Sequence, residues 1–199
     1  MMNNEKVYSE GYFTGILDIY FALFATNDTT AARPTYGAYQ VMGKTIDAKI
    51  TPNYKEGKVY ASNVATSNEK RLDSYTVTLN LDKIPYAVRQ VLLGRTVDAN
   101  GVQIIKGGNA APNVAIAFAL TLDDGSQELW TLYKGKFAEF EQTGHTDSDS
   151  TTYQHPTIEA TFVRREFDDA LAAIVATADT SIPATVQTDW CQQVYEAAP

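Results

Sequence analysis

Apolar and polar residues alternate along several stretches of this chain. In the segment 75–81, Tyr, Val and Leu alternate with Thr and Asn, and the same period occurs at 46–50 and 157–163. Successive side chains of a β-strand point to opposite faces, so this period of two predicts strands with one buried face. A further strand, rich in aromatic residues, is predicted at 16–26, where it ends in the turn-forming residues 27–30.

The apolar run 114–122 predicts the first strand of a hairpin. The turn sequence Asp-Asp-Gly-Ser follows at 123–126, and a returning strand is predicted at 129–140. Ala115, Ala117 and Ala119 fall on one face of the first strand and bulky residues on the other, which indicates that both faces are covered. The return strand is long for a compact domain, and such length suits a strand that lines a tube or reaches a neighbour.

One helix is predicted between residues 82 and 94. Asp82 can cap its start, Pro85 suits its first turn, and Gly94 ends it. The segment 167–177 is ambiguous, because its alanines favour a helix whereas Asp168-Asp169 could form a turn before a short strand. The helical spacing of Trp and Val near the end predicts a docked helical turn at 188–195.

No low-complexity linker divides the sequence, so residues 16–199 are interpreted as a single domain. Residues 1–15 are polar and contain Gly, which predicts an N-terminal arm. Two polar stretches, 53–71 and 141–156, are predicted to be adaptable loops. We expect both to be mobile in a free subunit and to be ordered by neighbours.

The charge of the chain excludes an ordinary nucleic-acid-binding protein. The net charge is −8, and the basic doublets Lys70-Arg71 and Arg164-Arg165 each have an acidic neighbour, so both are interpreted as solvated surface. The single Cys191 permits no intramolecular disulfide. The apolar run 16–25 is too short to span a membrane, and acidic residues near the start argue against a signal peptide.

The residues capable of chemistry do not form a convincing constellation. His145 and His155 flank Asp147 and Asp149, but their spacing matches no zinc or calcium motif, so this group is interpreted as a solvated loop. The remaining candidates have structural explanations: Cys191 as a buried apolar residue, Gly107-Gly108 as a loop, and Asp123-Asp124 as a hairpin turn. No catalytic, cofactor-binding or metal-binding residue is assigned, and an enzyme is not expected.

The order of these segments, from about residue 18 to residue 195, resembles the major tail tube subunits of siphophages. No short motif carries the resemblance alone. It rests on this series of segments: the aromatic strand at 18–23, Thr35-Tyr36-Gly37, Tyr60-Ala61-Ser62-Asn63, the strand at 75–81, the helix from Pro85, Leu93-Gly94 with 98–102, 155–160, and the closing stretch from Trp190 to Tyr195.

The resemblance implies a mainly β fold with one flanking α-helix, of β-sandwich-like or barrel-like form, and a strand at 171–177. It also implies a structural protein of the virion, made in the host bacterial cytoplasm, whose hexameric rings stack into the tail tube that delivers the genome. The implied partners are other copies of the chain, the tape measure protein inside the tube, and the tail terminator and distal tail or baseplate proteins at its ends. DNA would transit without specific binding and without membrane insertion of the protein.

An acidic chain in a DNA conduit suggests a lumen of negative potential, which would repel phosphate. Two other functions remain open on the sequence. The first is another tail or baseplate subunit, such as a distal tail protein or the tube of a contractile particle. The second is a ligand-binding β-sandwich, which would be a monomer with clustered exposed aromatic residues.

Overall fold

The computed structural model describes residues 11–61, 64–140 and 154–197. Its strands are β1 (Phe13–Ile16), β2 (Ile19–Leu23), β3 (Gln40–Gly43), β4 (Thr45–Ala61), β5 (Val64–Leu81), β6 (Thr96–Val97), β7 (Gln103–Ile104), β8 (Val114–Leu122), β9 (Gln127–Phe137), β10 (Thr157–Val163) and β11 (Ala172–Ala176). Its helices are α1 (Tyr86–Leu92) and α2 (Ala184–Asp189). The mainly β prediction with a flanking helix is confirmed, since α1 is that helix and α2 is a second, short one near the predicted C-terminal turn.

Nine of the strands form one antiparallel sheet, in which two central strands each pair with three others. Its main path runs β3-β2-β8-β9-β10-β5-β4. The first part of β8 pairs with β2 and its end with β1, while the first part of β9 pairs with β11 and its end with β10. The predicted hairpin of β8 and β9 is therefore the centre of the fold.

The sheet curls so that its two ends face each other across the main core. Ile19 and Phe21 of β2 share one apolar cluster with Val77 and Leu79 of β5, although these strands lie far apart in the sheet order. The residues of β10 are alternately exposed and buried along the whole strand. This pattern confirms the strand predicted from its period of two.

The opposite face of β8 is covered as well, as its alanines predicted. Ala117 and Ala119 pack with Trp190, and Ala115 packs with Val194, whereas Ile116 points into the main core. Small side chains on this face let α2 and the C-terminal segment lie close to the sheet. The C-terminal segment therefore forms an outer layer over this part of the sheet.

A β-bulge in β9 changes which residues of that strand point into the core. Leu132 opposes Ile116 and Gly135 opposes Val114, so three steps along β9 match two along β8. As a result, Leu132 before the bulge and Phe137 after it both face the main core. Gly135 lies against the ring of Phe162, which leaves no room for a side chain.

Helix α1 has the predicted position but not the predicted cap. Pro85 occupies the N-cap position, and no side chain bonds to the free N–H groups at the start of the helix, so the capping role of Asp82 is wrong. Asp82 instead donates its backbone N–H to Lys44. Gly94 follows the helix with a φ of 62°, which is the left-handed conformation expected of a terminating glycine.

Four other sequence predictions differ from the structure or are settled by it. The arm assigned to 1–15 includes β1, whose pairing with β8 is a long-range contact that a local pattern does not reveal. The stretch 53–71 is not a loop where it is described, since it consists of the outer parts of β4 and β5. The segment 167–177 contains strand β11, as the resemblance implied. The last helix lies at 184–189, so it begins four residues before the helical turn predicted at 188–195.

Candidate assembly interface

The hairpin of β4 and β5 extends well beyond the rest of the sheet. Its two strands pair from Thr45 with Leu81 out to Ala61 with Val64. Strand β10 pairs only with the part of β5 between Ser74 and Asn80, so the segments 54–61 and 64–72 pair only with each other. At about 3.3 Å per residue, this two-stranded arm is roughly 26 Å long. We call residues 54–72 the arm.

The described side chains of the arm lie at its base and are joined mainly by exposed ion pairs. Lys55 Nζ lies 2.7 Å from Asp73, and Lys70 Nζ lies 3.5 Å from Glu56. Lys70 also lies 4.7 Å from the centre of the Tyr54 ring. Exposed ion pairs contribute at most about 1 kcal/mol each, and an isolated two-stranded hairpin is marginally stable in water. The arm therefore has the properties of a segment that is stabilised by contact with another molecule.

The main path of the sheet ends in two strands whose outer edges have no partner within the described chain. These are β3 and β4. Each presents an exposed apolar side chain: Val41 of β3 is 49% exposed, and Ile46, which lies in a bulge of β4, is 46% exposed. Open strand edges pair readily with other chains unless they are protected by charge, proline or a covering element. These edges are candidate contacts between copies.

The small hairpin of β6 and β7 presents a compact apolar patch. Exposed apolar residues cluster on it and on α1: Tyr86, Val97, Val102, Ile104 and Ile105. The carboxylate of Asp98 accepts hydrogen bonds from the N–H groups of Asn100 and Val102, both at 2.9 Å. The bond from Val102 is the main reason that the pKa of Asp98 is lowered. A rigid apolar patch on the surface is typical of an interaction site.

The loop between β10 and β11 is fixed by a buried arginine. Arg165 is 2% exposed and donates two hydrogen bonds to the Asp168 carboxylate, at 3.0 and 2.5 Å. It also donates to Glu196 at 2.5 Å and lies 3.9 Å from the centre of the Tyr133 ring. Burial by itself would lower the pKa of Arg165, but the bonds to Glu196 and Asp168 raise it. The C-terminal segment is thus tied to the body through Glu196.

A buried aspartate holds the same loop from the other side. Asp28 is 8% exposed and accepts hydrogen bonds from Lys134 Nζ at 2.8 Å and from the N–H groups of Glu166 and Phe167. Burial would raise the pKa of Asp28, but the bond from Lys134 and the two backbone bonds outweigh it, so the pKa is lowered. The residues around the arginine and the aspartate therefore form a network that ties the loop between β10 and β11 to the body of the subunit.

The model of the family described as "Phage tail tube protein" matches residues 25–194 of this chain. This match covers most of the sequence, including the arm, the open edges and the apolar patch. The chain belongs to the phage tail tube protein family. No curated protein matches it.

Among solved structures, this tail tube protein is similar to one described as the "Cryo-EM structure of the anti-feeding prophage cap (AFP tube terminating cap)". The two share 13% sequence identity with a TM-score of 0.40, and the match covers 89% of this chain and 100% of the other. Membership of the family makes the chain a structural protein of the phage tail. No described helix is long and apolar enough to cross a membrane.

Most of the residues considered as a metal site of the tail tube protein lie outside the part of the chain that the structure describes. These are His145, Asp147 and Asp149. The ring of His155 lies 3.8 Å from the carboxylate of Asp82, and no group of three metal-ligating side chains occurs in the described ranges. Cys191 is half-buried, and burial raises the pKa of its thiol, which makes it a weaker nucleophile.

The remaining sequence candidates have local structural roles. Asp124 accepts hydrogen bonds from the N–H and hydroxyl of Ser126 within the turn of the central hairpin. Asp123 accepts one from the N–H of Tyr12. Gly107 and Gly108 lie in an exposed loop. These positions agree with the turn and loop interpretations given to them.

The two basic doublets behave differently from each other. Lys70 and Arg71 are exposed and paired with acidic residues, so their interpretation as solvated surface is confirmed. For Arg164-Arg165 it is wrong in part, because Arg165 is buried. Sequence reasoning also missed the β6–β7 patch, although its signal was present: apolar residues on both sides of the turn at 98–101.

Proposed function

We propose that this tail tube protein assembles into hexameric rings that stack into the tail tube of a long-tailed phage, through which the genome is delivered. The observation that carries the proposal is the arm, which extends roughly 26 Å beyond the sheet and has no partner strand there within the described chain. A segment of that length can reach an adjacent ring. Family membership supports assembly into a tube.

Contacts within a ring are assigned to the open edges of β3 and β4. Pairing of these edges between neighbours would continue the sheet from subunit to subunit and remove both exposed edges at once. Contacts between rings are assigned to the arm. Stacking is a head-to-tail contact, and such contacts generate an open filament rather than a closed particle.

The proposed location is the virion tail, after synthesis in the host bacterial cytoplasm. The proposed partners are the tape measure protein in the lumen and the terminator and distal tail or baseplate proteins at the two ends. DNA is proposed to pass through without specific binding. The net charge of −8 supports this, since retention of DNA requires an excess of basic residues on the surface that it meets.

The test is electron microscopy of concentrated protein, alone and with the tail initiator complex. The informative variant replaces residues 56–70 with Asn-Gly, which joins the paired residues Lys55 and Arg71 by a two-residue turn. We expect the full chain to form hollow tubes and the shortened chain to form rings that do not stack. Normal tubes from the shortened chain would contradict the role of the arm.

A second pair of variants tests the edge contact. Ile46→Lys places a charge on the open edge of β4 and should prevent ring formation, whereas Lys44→Gln changes an exposed neighbour and should not. Native mass spectrometry of both variants reports the ring. Hexamers from Ile46→Lys in normal yield would contradict the edge assignment. Protein that assembles only at tail ends would favour a distal tail or baseplate subunit, and a persistent monomer that binds a ligand would favour the ligand-binding sandwich.

A further inference from the structure

One wide face of the sheet is polar and largely uncovered in the described part of the chain. It is the outward face of β4, β5, β10 and the end of β9, where side chains of neighbouring strands align in rows. The rows are Asp47–Asn80–Thr157, Lys49–Thr78–Glu159, Thr51–Thr76–Thr161–Lys136 and Asn53–Ser74–Val163–Lys134. We call these positions the polar face. Residues with hydroxyl groups are the most frequent on it, at six of the fourteen positions, and its one large apolar side chain is Val163. The last row is partly covered, because Ser74 is 7% exposed and the Lys134 side chain is 13% exposed.

The opposite side of the molecule carries most of the bulk of the subunit. Behind the polar face lie the main core and the β2–β8 layer, and the outward face of that layer is covered by α2 and the C-terminal segment. When copies close into a ring through their sheet edges, the outside has the larger circumference. The thick side therefore fits outside and the bare sheet face fits inside.

The arm supports the same orientation. Strands β4 and β5 contribute two positions to every row of the polar face, one from each strand, and both strands continue into the arm. If the arm reaches the next ring, the surface formed by these strands is continued from ring to ring. A continuous surface of this kind is what a channel wall requires.

The charges of the polar face nearly cancel. The negative charges of Asp47 and Glu159 balance the positive charges of Lys49 and Lys136. The ammonium group of Lys134 is already paired with two carboxylates outside the face, those of Asp28 and Glu166. Asp47 and Lys49 lie two residues apart on one strand, roughly 7 Å. Glu159 lies diagonally across from Lys136, at about 7–8 Å. Charges this close are within a Debye length of about 8 Å, so they compensate each other locally.

We propose that the polar face is the wall of the channel, and that this wall is lined with hydroxyl groups and balanced charges rather than with an excess of acidic residues. The proposal rests on the proposed tube. It replaces the acidic lumen suggested by the net charge of −8, since the acidic excess must then lie elsewhere on the chain. Double-stranded DNA would pass because the wall offers no cluster of cations to hold phosphate.

The test places single cysteines on the wall and on the opposite side of the subunit. In a Cys191→Ala background, Thr161→Cys and Thr51→Cys lie on the polar face, and Thr185→Cys lies on exposed α2 as the control. Each variant is labelled in two states, as dispersed subunits and as assembled tubes. Three reagents are used: a bulky polyethylene glycol maleimide, a small cationic methanethiosulfonate and a small anionic methanethiosulfonate. The bulky reagent can reach a lumen only through the tube ends.

We expect all three cysteines to react with every reagent when the chain is dispersed. In tubes, Thr161→Cys and Thr51→Cys should lose reaction with the bulky reagent and keep it with both small ones, while Thr185→Cys should keep all reactions. The rate of labelling by the cationic reagent divided by the rate for the anionic reagent should be similar at the wall positions and at Thr185→Cys, within about threefold. An acidic wall would instead favour the cationic reagent by about tenfold or more.

Each result that would contradict the proposal points to a different arrangement of the polar face. Bulky labelling of the wall positions in tubes would place the polar face outside. Loss of all labelling there, or failure of both wall variants to assemble while Thr185→Cys assembles, would place it in a contact between copies. A strongly raised rate ratio would restore the acidic wall. Absence of tubes from the unsubstituted chain would overturn the proposed function and this proposal with it.

Discussion

Replacement of Arg165 by methionine should destabilise the subunit more than the same change at its neighbour. Arg165→Met keeps an apolar side chain of similar length but removes the guanidinium that bonds to Asp168, Glu196 and Tyr36. Loss of one partner of a buried ion pair costs about 3–5 kcal/mol. Because Asp168 and Glu196 remain 28% and 27% exposed and can be rehydrated in part, we expect the lower end of this range.

The matched control is Arg164→Met. The Arg164 side chain is 36% exposed and pairs with Asp169, which is 75% exposed, and it also donates a hydrogen bond to the backbone carbonyl of Leu72. Exposed pairs of this kind contribute at most about 1 kcal/mol. The hydrogen bond to Leu72 contributes about another 1 kcal/mol, so we expect the two variants to differ by about 1 kcal/mol or more in the free energy of unfolding. For a chain of this size, the loss at Arg165 corresponds to a decrease in Tm of roughly 6–12 °C.

The assay is urea denaturation of the dispersed subunit, followed by tryptophan fluorescence and circular dichroism. A double-mutant cycle with Glu196→Gln then isolates the contribution of the bond between Arg165 and Glu196, for which we expect a coupling of about 1–3 kcal/mol. Equal stability of Arg165→Met and Arg164→Met would refute the structural role of the buried network. A coupling near zero would show that the C-terminal segment is held by its apolar contacts instead.

Three further predictions concern the core, the pH dependence and the arm. Gly135→Ala should lower the free energy of unfolding in urea by about 1–3 kcal/mol, because the added methyl overlaps the ring of Phe162. Gly107→Ala should be neutral, because its methyl meets no atom within 4 Å. Equal effects of the two variants would contradict the packing. The pKa of Asp28 is lowered from 3.8, so its contribution should be present above about pH 4 and be lost as the pH falls further. We therefore expect the difference in stability between the unsubstituted chain and Asp28→Asn to vanish in acid. Urea denaturation of both proteins from pH 7 to pH 2 measures this difference, and a constant difference would contradict the prediction. Hydrogen exchange at 53–71 and 141–156 should be faster in dispersed subunits than in tubes, and equal protection in both states would count against ordering by neighbours.

The sequence predicts the parts of the fold whose signals are local. Strand β10 and the inner part of β5 bury every second residue, and a period of two shows this directly. The alanines of β8 predict its close cover, because small side chains are needed where a second layer approaches a sheet. Gly94 marks the end of α1 because a left-handed conformation there strongly favours glycine.

The parts that could not be predicted depend on contacts between distant segments. The described side chains of the arm, at 54–57 and 69–72, are exposed or half-buried, and its sequence lacks a hydrophobic period, so it resembles a polar loop. Strand β1 forms only because the end of β8 offers it an edge. Arg164 and Arg165 are indistinguishable as a doublet, and burial of the second one depends on Glu196, which lies 31 positions away.

The separation between body and arm has a consequence for how tubes grow. No described member of the three apolar clusters lies in the arm, so the described core of the subunit is built without it. Ordering the arm costs conformational entropy of about 1–2 kcal/mol per residue for the backbone, and its exposed ion pairs recover little of this in a free subunit. In the proposed tube, a subunit that joins an existing end would contact both the adjacent ring and its neighbours in its own ring, and these contacts together would offset that cost. Two free subunits would gain only a single contact. If the proposed tube forms, growth from an existing end would therefore be favoured over new nucleation, and addition of the tail initiator complex should shorten the delay before tubes appear.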